Sequence, residues 1–299
     1  MQLSIIIVSF NTRELLKQCL ESLSNNYGQE IKNQQFEVIV VDNASRDESV
    51  SFLKKNFPYI KTFVNEKNEG FAKASNIGVR LSCGQYILLL NPDTVIPNLT
   101  LTTLIDYLNK NAHVGIVTCK VVLQNGKLDD ACHRGFPTPL RALFHFTGLA
   151  SLFPHSHFFN GYHLGYKSMN KVHEIEACVG AFLMIKKTVG DEIGWLDEDY
   201  FWYGEDLDLC FRVKKKGYKV IFIPYVSIVH LKGAASGLKK HSQQLTHADK
   251  QTRLVATKAR FEVMRIFYQK HYLNLYPSWL TQLVLLGISL RQKLAEISL

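Results

Sequence analysis

The sequence predicts an α/β protein: a Rossmann-like, mostly parallel sheet flanked by helices, followed by a helical C-terminal extension. Two observations carry this prediction. Apolar runs alternate with amphipathic helical patterns through the first half of the chain, which is typical of a parallel sheet covered on both faces. Each run is also continuously apolar, as expected for a strand buried on both sides. The 299 residues, 46% of them hydrophobic, allow one large core.

The predicted elements follow in chain order. Strands are expected at the apolar runs 3–9, 36–41, 60–64 and 86–90, each followed by a helix. Asn11 is placed to cap the first helix, with Glu14 three residues further on. In the third helix, Gly70, Ala74 and Gly78 allow close packing on the sheet. Later strands are expected at 177–186, 219–223 and 226–230, and a helix at 205–216.

Polar clusters follow the first four strands at their carboxyl ends. In parallel α/β sheets, ligands bind in the crevice beyond these ends. The clusters are residues 9–11, 42–45, 65–70 and 91–93. We therefore expect a ligand cleft at this edge of the sheet.

The cluster Asn91-Pro92-Asp93 directly follows the apolar run Tyr86–Leu90. A carboxylate there points into the cleft, where it can hold Mg²⁺ against a phosphate oxygen. The same tripeptide is also good turn chemistry, so this segment alone does not decide between a metal site and a turn.

A second acidic group lies at the start of the predicted helix at 205–216. Glu205, Asp206 and Asp208 fall within four residues, after an aromatic run at 200–203 and further acids at 197–199. One carboxylate can act as a general base towards an acceptor hydroxyl. Favourable interaction with the helix dipole explains acids at this position equally well.

Three other polar residues are candidates. Asn68 and Asn76 add amide groups near the cleft, and His230 ends a predicted strand. A single histidine is usually structural, but imidazole is also a common metal ligand.

The segments outside this pattern carry less information. The segment 132–174 has no clear period and is rich in aromatic residues, which fits either an acceptor site or a lid. From Thr246 the chain is helical and basic, and its apolar stretch Trp279–Leu290 is too short to span a bilayer. This tail either lies on a membrane surface or packs on protein. We expect a catalytic domain at 1–235 and a basic helical extension at 236–299.

The net charge of +9 is unevenly distributed. After Cys210 there are 16 Lys and Arg against 3 Asp and Glu, so the basic character belongs to the last part of the chain. Such a tail favours anionic partners, although a solvated face explains it equally well. The six cysteines form no Cys-x-x-Cys pair, and the first residues resemble a strand rather than a signal sequence. We expect a cytoplasmic protein.

Taken together, the motifs resemble the family 2 inverting glycosyltransferases with the A-type fold, in particular their rhamnosyltransferase-like branch. Six motifs occur in the family's order within residues 1 to 235: SIIIVSFN (4–11), VVDNAS (40–45), NEGFAKASNIG (68–78), NPD (91–93), GAF (180–182) and EDLDLCFR (205–212). Each motif is weak by itself, but the set in this order is specific. The resemblance implies a glycosyltransferase that uses a nucleoside-diphosphate sugar.

The resemblance also implies roles for residues at matching positions. Ser9, Asn11 and Asp42 would contact the nucleoside, within a donor site that also includes Asn68, Asn76 and Asn91. Asp93 would hold Mg²⁺ or Mn²⁺ against the diphosphate, and His230 matches a histidine that joins the metal in some members. Asp206 would be the catalytic base, with Glu205 orienting it or the acceptor. Asn91 replaces the first aspartate of the usual Asp-x-Asp motif, which removes a charge from the metal site.

The Asn-Pro-Asp form favours dTDP-rhamnose as donor, with UDP-sugars as the second choice. The expected acceptor is a saccharide, lipid-linked, in cell-surface polysaccharide synthesis, with the tail contacting the inner membrane face. Two alternatives are a non-catalytic scaffold and a sugar nucleotidyltransferase, although the latter requires a Gly-rich loop where this chain has Ser9-Phe10-Asn11-Thr12. A dehydrogenase is disfavoured because Gly-x-Gly-x-x-Gly is absent there. We expect no nucleic-acid partner.

Overall fold

The computed structural model describes residues 1–231 and 250–297 and, in the helix that begins at 250, side chains from 254 onward. The expected domain boundary between 235 and 236 and the expected start of the tail at Thr246 lie outside the described residues.

Nine strands of the described chain form one sheet in the order β3-β2-β1-β4-β8-β6-β9-β5, with β7 also pairing with β9. Their bounds are β1 (Leu3–Ser9), β2 (Phe36–Asp42), β3 (Lys61–Val64), β4 (Tyr86–Leu90), β5 (Thr94–Val95), β6 (Val114–Leu123), β7 (His173–Ile175), β8 (Phe182–Lys186) and β9 (Lys219–His230).

The sheet is mostly parallel, as predicted. Strands β3, β2, β1 and β4 run in the same direction. Strand β8 runs antiparallel to both β4 and β6, and β9 is parallel to β6. The two short strands predicted at 219–223 and 226–230 are one strand, β9, whose register against β6 shifts after Cys119.

The described helices are α1 (Arg13–Lys32), α2 (Ser49–Asn56), α3 (Phe71–Arg80), α4 (Thr100–Lys110), α5 (Pro139–Phe146), α6 (Leu149–Leu152), α7 (Lys187–Ile193), α8 (Glu205–Lys215), α9 (Lys250–His271) and α10 (Ser278–Ile297). Thr12, and not Asn11, occupies the N-cap position of α1. Helix α3 lies close to the sheet, because a Cβ on Gly78 would lie 2.5 Å from Cγ2 of Ile6.

The C-terminal helices pack on the α/β body. Phe267 and Tyr268 of α9, and Tyr272 directly after it, are buried in the main core. Helix α10 packs on α9, where the hydroxyls of Tyr268 and Thr281 lie 3.1 Å apart. No helix in the described ranges is both long and apolar enough to cross a membrane.

Candidate active site

A cavity of about 610 Å³ opens beyond the carboxyl ends of β1, β2 and β3, where the sequence predicts a ligand cleft. Its lining comes from the loops that follow these strands and includes two predicted donor-site residues, Asn11 and Asn68. The lining residues are Phe10, Asn11, Ala44, Ser45, Arg46, Val64, Asn65, Glu66, Lys67 and Asn68. Its size and its polar lining suit a small ligand with several hydrogen-bonding groups.

Ser9 and Asp42 lie side by side at the ends of β1 and β2. The Asp42 carboxylate is fully buried, and its Oδ2 accepts a hydrogen bond from the Ser45 amide at 2.9 Å. Oδ1 of Asp42 has no hydrogen-bond partner in the described chain. The Ser9 hydroxyl pairs with that of Thr12 at 2.9 Å. A buried carboxylate oxygen without a partner is costly. Ser9 and Asp42 are both fully buried at these strand ends and are not among the residues that line the cavity.

Asn11 joins two of the cavity loops. Its backbone is left-handed, with φ of +53°, a conformation that asparagine tolerates better than most residues. The backbone N–H of Asn11 donates to Oγ of Ser45 at 2.9 Å, and the side-chain Oδ1 of Asn11 accepts from the backbone N–H of Arg46 at 2.7 Å. Asn11 therefore shapes the cavity instead of capping α1.

Asn43, which sequence reasoning did not single out, organises the opposite wall. Its Nδ2 donates to Oδ1 of Asn68 at 2.7 Å, and its Oδ1 accepts from Nδ2 of Asn65 at 2.9 Å. Oδ1 of Asn68 also accepts from the amide of Gly70 at 3.0 Å, at the start of α3. The loop after β3 is therefore fixed by asparagine side chains.

Asn76 lies apart from these residues. Its Nδ2 donates to the Leu196 carbonyl and to Oε1 of Glu198, both at 2.9 Å. It lines a separate cavity of about 360 Å³ together with Glu198 and Trp195. The structure thus gives Asn76 a part in holding the 196–198 loop.

The ends of β4 and β9 bring Asp93 and His230 together, because β5 pairs with β9 directly after Asp93. Nε2 of His230 lies 3.2 Å from Oδ1 of Asp93, and Nδ1 lies 3.4 Å from Oδ2 of Asp129. Burial lowers the pKa of His230, but the carboxylates of Asp129 and Asp93 outweigh this effect and raise it to about 9. Asp129 was missed because it lies in a turn far from any motif.

A divalent cation fits this group through Asp93 and, with loss of the imidazole proton, through His230. In the described part of the chain, no three His, Cys, Asp or Glu side chains are arranged as a metal site. Two protein ligands are nevertheless enough for a Mg²⁺-type ion, which completes its shell with water and phosphate oxygens.

Asp206, in the first turn of α8, is held by three N–H donors. Its Oδ2 accepts from Nη2 of Arg134 at 3.0 Å and from the Gly180 amide at 2.9 Å, and its Oδ1 accepts from the Leu207 amide at 2.6 Å. Arg134 lies in the segment with no sequence pattern, 72 residues from Asp206, so no local signal could identify it.

Glu205 is buried beside Asp206, and its Oε2 finds no hydrogen-bond donor among the described residues. Burial and the neighbouring negative charge of Asp206 raise the pKa of Glu205 to about 8. At neutral pH this carboxyl group is therefore mostly protonated. The two adjacent acids thus have different environments, which allows them different chemical roles.

The other acids near α8 are structural. Asp208 is fully buried, and its carboxylate accepts from Nε of Arg212 and Nε2 of His271, both at 2.7 Å. Asp197 and Asp199 both pair with Lys270 of α9. These contacts fix α9 against the loop before α8.

The residues before β8 connect Asp206 to the Asn91-Pro92-Asp93 segment. The Gly180 amide donates to Asp206, and the next carbonyl, of Ala181, accepts from the amide of Asn91 at 3.0 Å. The predicted metal-binding acid and the predicted base are therefore held by one continuous set of contacts.

The fold is that of solved structures with the glycosyltransferase A-type fold. The structure is similar to residues 1–349 of TarS from S. aureus, with a TM-score of 0.56 and 15% identity over 98% of this chain and 81% of that chain. It is also similar to GalNAc-T7, solved with UDP, GalNAc and Mn²⁺, with a TM-score of 0.58 and 15% identity over 90% of this chain and 50% of that chain. At this identity the likeness shows the fold.

The sequence profile of the glycosyl transferase family 2 matches residues 4–170, more than half of the chain, so the protein belongs to this family. The predicted family and the prediction of an enzyme are confirmed.

Two similar relatives indicate the branch of the family. The chain is 25% identical to the rhamnosyltransferase WbbL of Escherichia coli, over 76% of this chain and 82% of that protein. It is also 25% identical to the low-salt glycan biosynthesis hexosyltransferase Agl10 of Haloferax volcanii, over 76% of this chain and 66% of that protein. The chain thus spans about two thirds of the Haloferax relative, and it covers 45% of the longer TarS chain.

Proposed function

We propose that the protein transfers one sugar, with inversion, from a nucleoside-diphosphate sugar to an acceptor hydroxyl. The observation that carries this proposal is the pair of adjacent buried acids at the start of α8, held next to the segment that bears Asp93. The best candidate donor is dTDP-rhamnose, followed by a UDP-sugar, and the context is cell-surface polysaccharide synthesis.

The cavity after β1, β2 and β3 would bind the nucleoside. The unpartnered Oδ1 of Asp42 can accept a hydrogen bond from the imide N–H of thymine or uracil, the bases of both candidate donors. Asn11 and Asn68, in the cavity wall, offer further polar contacts.

Asp93 and His230 would hold Mg²⁺ or Mn²⁺. A bound divalent cation would stabilise the charge that develops on the departing diphosphate. Manganese accompanies UDP in the solved structure of GalNAc-T7, which supports a metal here by analogy of fold.

The transfer is a single in-line displacement. The acceptor oxygen forms a bond to the anomeric carbon, the bond to the diphosphate oxygen breaks, and the acceptor proton passes to Asp206. Glu205 is protonated at neutral pH and so is a poor base there, but it can donate a hydrogen bond that orients the acceptor. Arg134 holds Asp206 in place.

Relatives guide the choice of donor and acceptor. WbbL is named as a rhamnosyltransferase, and a relative from Mycobacterium tuberculosis, 21% identical, is named as an N-acetylglucosaminyl-diphospho-decaprenol L-rhamnosyltransferase. These names favour rhamnose and a lipid-linked saccharide acceptor. UDP-GlcNAc in a TarS structure keeps UDP-sugars as the second choice. We also propose membrane-surface contact through the tail and a cytoplasmic location, and the transfer reaction depends on neither.

Donor turnover tests the proposal against a non-catalytic scaffold and a nucleotidyltransferase. We expect slow release of dTDP from dTDP-rhamnose, accelerated by a saccharide acceptor, and a loss of about 100-fold or more in Asp206→Asn. Glu48→Gln, at an exposed carboxyl, serves as the control and should retain full activity. Near-normal transfer by Asp206→Asn would refute the base assignment, and no turnover of any sugar nucleotide would favour the scaffold.

A further inference from the structure

Helix α10 exposes a continuous apolar stripe. The side chains repeat every three or four residues, so they share one face, and each is more than half exposed. The stripe consists of Trp279, Leu283, Leu286, Leu290, Leu294 and Ile297. The opposite face, with Thr281, Val284 and Leu285, packs against α9 and the core. Exposed apolar area of this extent marks an interaction surface.

A second exposed apolar group lies in another part of the chain. It belongs to α5, α6 and the turn that follows, and its exposed members are Leu140, Leu143, Phe146, Leu152, Phe153 and Phe158. The carbon at the centre of the Arg291 guanidinium, in α10, lies 4.0 Å from the ring centroid of Phe146. Helix α5 therefore approaches α10 at this point, and we call the two groups together the apolar face.

The charge around the apolar face is positive. Residues 131–173, which include α5 and α6, contain no Asp or Glu. Helix α10 itself carries Arg291 and Lys293 against a single acid, Glu296. A basic face repels a second copy of itself and attracts an anionic surface, so its charge favours lipid over self-association.

We propose that the apolar face docks on the surface of an anionic lipid bilayer. Leucine and aromatic side chains would enter the boundary between headgroups and acyl chains, while arginine and lysine contact lipid phosphates. The new element is the α5–α6 segment, which forms the second half of the contact. Helix α10 lies in the interface and does not cross it, in keeping with its short apolar stretch.

This docking has a consequence for the site. Helix α9 connects the apolar face to the start of α8, because its His271 binds Asp208, two residues beyond Asp206. A bilayer at the apolar face would therefore lie on the same side of the protein as α9. Delivery of a lipid-linked acceptor to Asp206 from that surface rests on the proposed function, whereas the lipid contact itself does not.

The test is co-sedimentation of the full chain with vesicles of phosphatidylcholine containing about one third phosphatidylglycerol, and with phosphatidylcholine alone. We expect binding to the anionic vesicles that weakens as salt is raised. The double variants Leu286→Glu/Leu290→Glu and Leu143→Glu/Phe146→Glu should each lower the partition coefficient about tenfold or more, because each removes two apolar anchors and adds two negative charges.

The control is Leu81→Glu/Leu99→Glu, which makes the same change at exposed leucines outside the apolar face. It should bind like the parent protein, and all three variants should keep the parental Tm. Normal binding by the α5 variant would overturn the role of that segment. Absence of binding together with a dimer that the α10 variant dissociates would assign the apolar face to a second copy.

A parallel thermal-shift assay with dTDP separates the two proposals. If the parent protein shows the nucleotide effect but does not bind anionic vesicles, the docking alone is contradicted. Vesicle binding without any nucleotide effect would contradict the proposed transfer alone.

Discussion

At the scale of single residues, the neighbouring acids Glu205 and Asp206 carry the same carboxyl group but have different hydrogen-bonding environments. Asp206 accepts hydrogen bonds from a guanidinium and two amides, whereas Oε2 of Glu205 is buried with no donor in the described structure. A carboxylate without donors is destabilised by burial, so Glu205 keeps its proton to higher pH. In the proposed mechanism, the pair would supply a base, Asp206, and a neutral hydrogen-bond donor, Glu205, at the same pH.

This assignment predicts a pH-dependent stability effect at Glu205. Its pKa rises from 4.5 to about 8 on folding, so the folded state holds a proton that the unfolded state releases between these values. Stability contributed by this group is thus present at low pH and lost as pH rises towards 8. We expect Glu205→Gln to gain Tm relative to the parent protein between pH 5 and pH 8, measured by circular dichroism.

The control for this effect is Glu48→Gln, whose side chain is 78% exposed. Its Tm should track that of the parent protein across the same pH range. A Tm difference for Glu205→Gln that stays constant with pH would contradict a raised pKa at Glu205.

Sequence reasoning predicts which strand ends carry Asp42 and Asp93, but it does not identify the residues that contact the candidate site residues. Strand-end position predicts that Asp42 and Asp93 lie at one sheet edge, because consecutive parallel strands end there. Asp129 and Arg134 contact His230 and Asp206 through tertiary structure alone, and no spacing along the chain encodes such contacts.

At the scale of elements, α9 is the part of the C-terminal extension that bears most directly on the site. Lys270 pairs with Asp197 and Asp199, His271 pairs with Asp208, and Phe267 enters the core. The sequence leaves open whether the basic tail lies on a membrane surface, packs on protein or is a solvated face. The basic side chains at the end of α9 pair with acids of α8 and of the loop before it. Counting charges along the chain could not reveal these pairs.

A glycine at the start of α8 tests this docking. Gly204 has φ of +83°, and a Cβ there would lie 2.2 Å from Cγ1 of Val263 in α9. We expect Gly204→Ala to lower stability by about 2 kcal/mol or more, from backbone strain together with this clash. Denaturant unfolding provides the measurement.

The matched control is Gly194→Ala, which has φ of +82° but meets nothing within 4 Å. The free energy of unfolding of Gly194→Ala should fall only by the cost of backbone strain. When Val263→Ala is combined with Gly204→Ala, it should restore the additional stability that the clash removes. Equal losses in the two alanine variants would mean that α9 does not pack here as described.

Elements differ in how well the sequence predicts them. The strands 3–9 and 86–90 and the start of α8 at Glu205 agree with the structure, because long apolar runs and an acidic helix start are strong local signals. Strand β6 (Val114–Leu123) was not recognised, and β9 was read as two strands. A register shift within β9 and the antiparallel insertion of β8 depend on neighbouring strands, which a single segment cannot encode.

At the scale of the whole molecule, the structure separates two surfaces of different character. The cavity proposed for the donor lies beyond the ends of β1 to β3, and its lining includes polar side chains such as Asn11, Arg46 and Asn68. The apolar face, formed by α10 and the α5–α6 segment, is surrounded by basic residues. Helix α9 packs against α10, and its Lys270 and His271 pair with acids of α8 and of the loop before it. The two proposals together would have the protein take its donor from water and its acceptor from a lipid surface.

The most direct test of the central claim is a thermal-shift panel with dTDP, UDP, GDP and CDP, each with and without Mn²⁺. A ligand that binds only the folded state raises Tm. We predict that dTDP or UDP stabilises the protein, that Mn²⁺ increases the effect, and that Asp42→Asn and Asp93→Asn each diminish it. Absence of a shift with every nucleotide, or a shift that neither variant alters, would contradict the assignment of this cleft as the donor site.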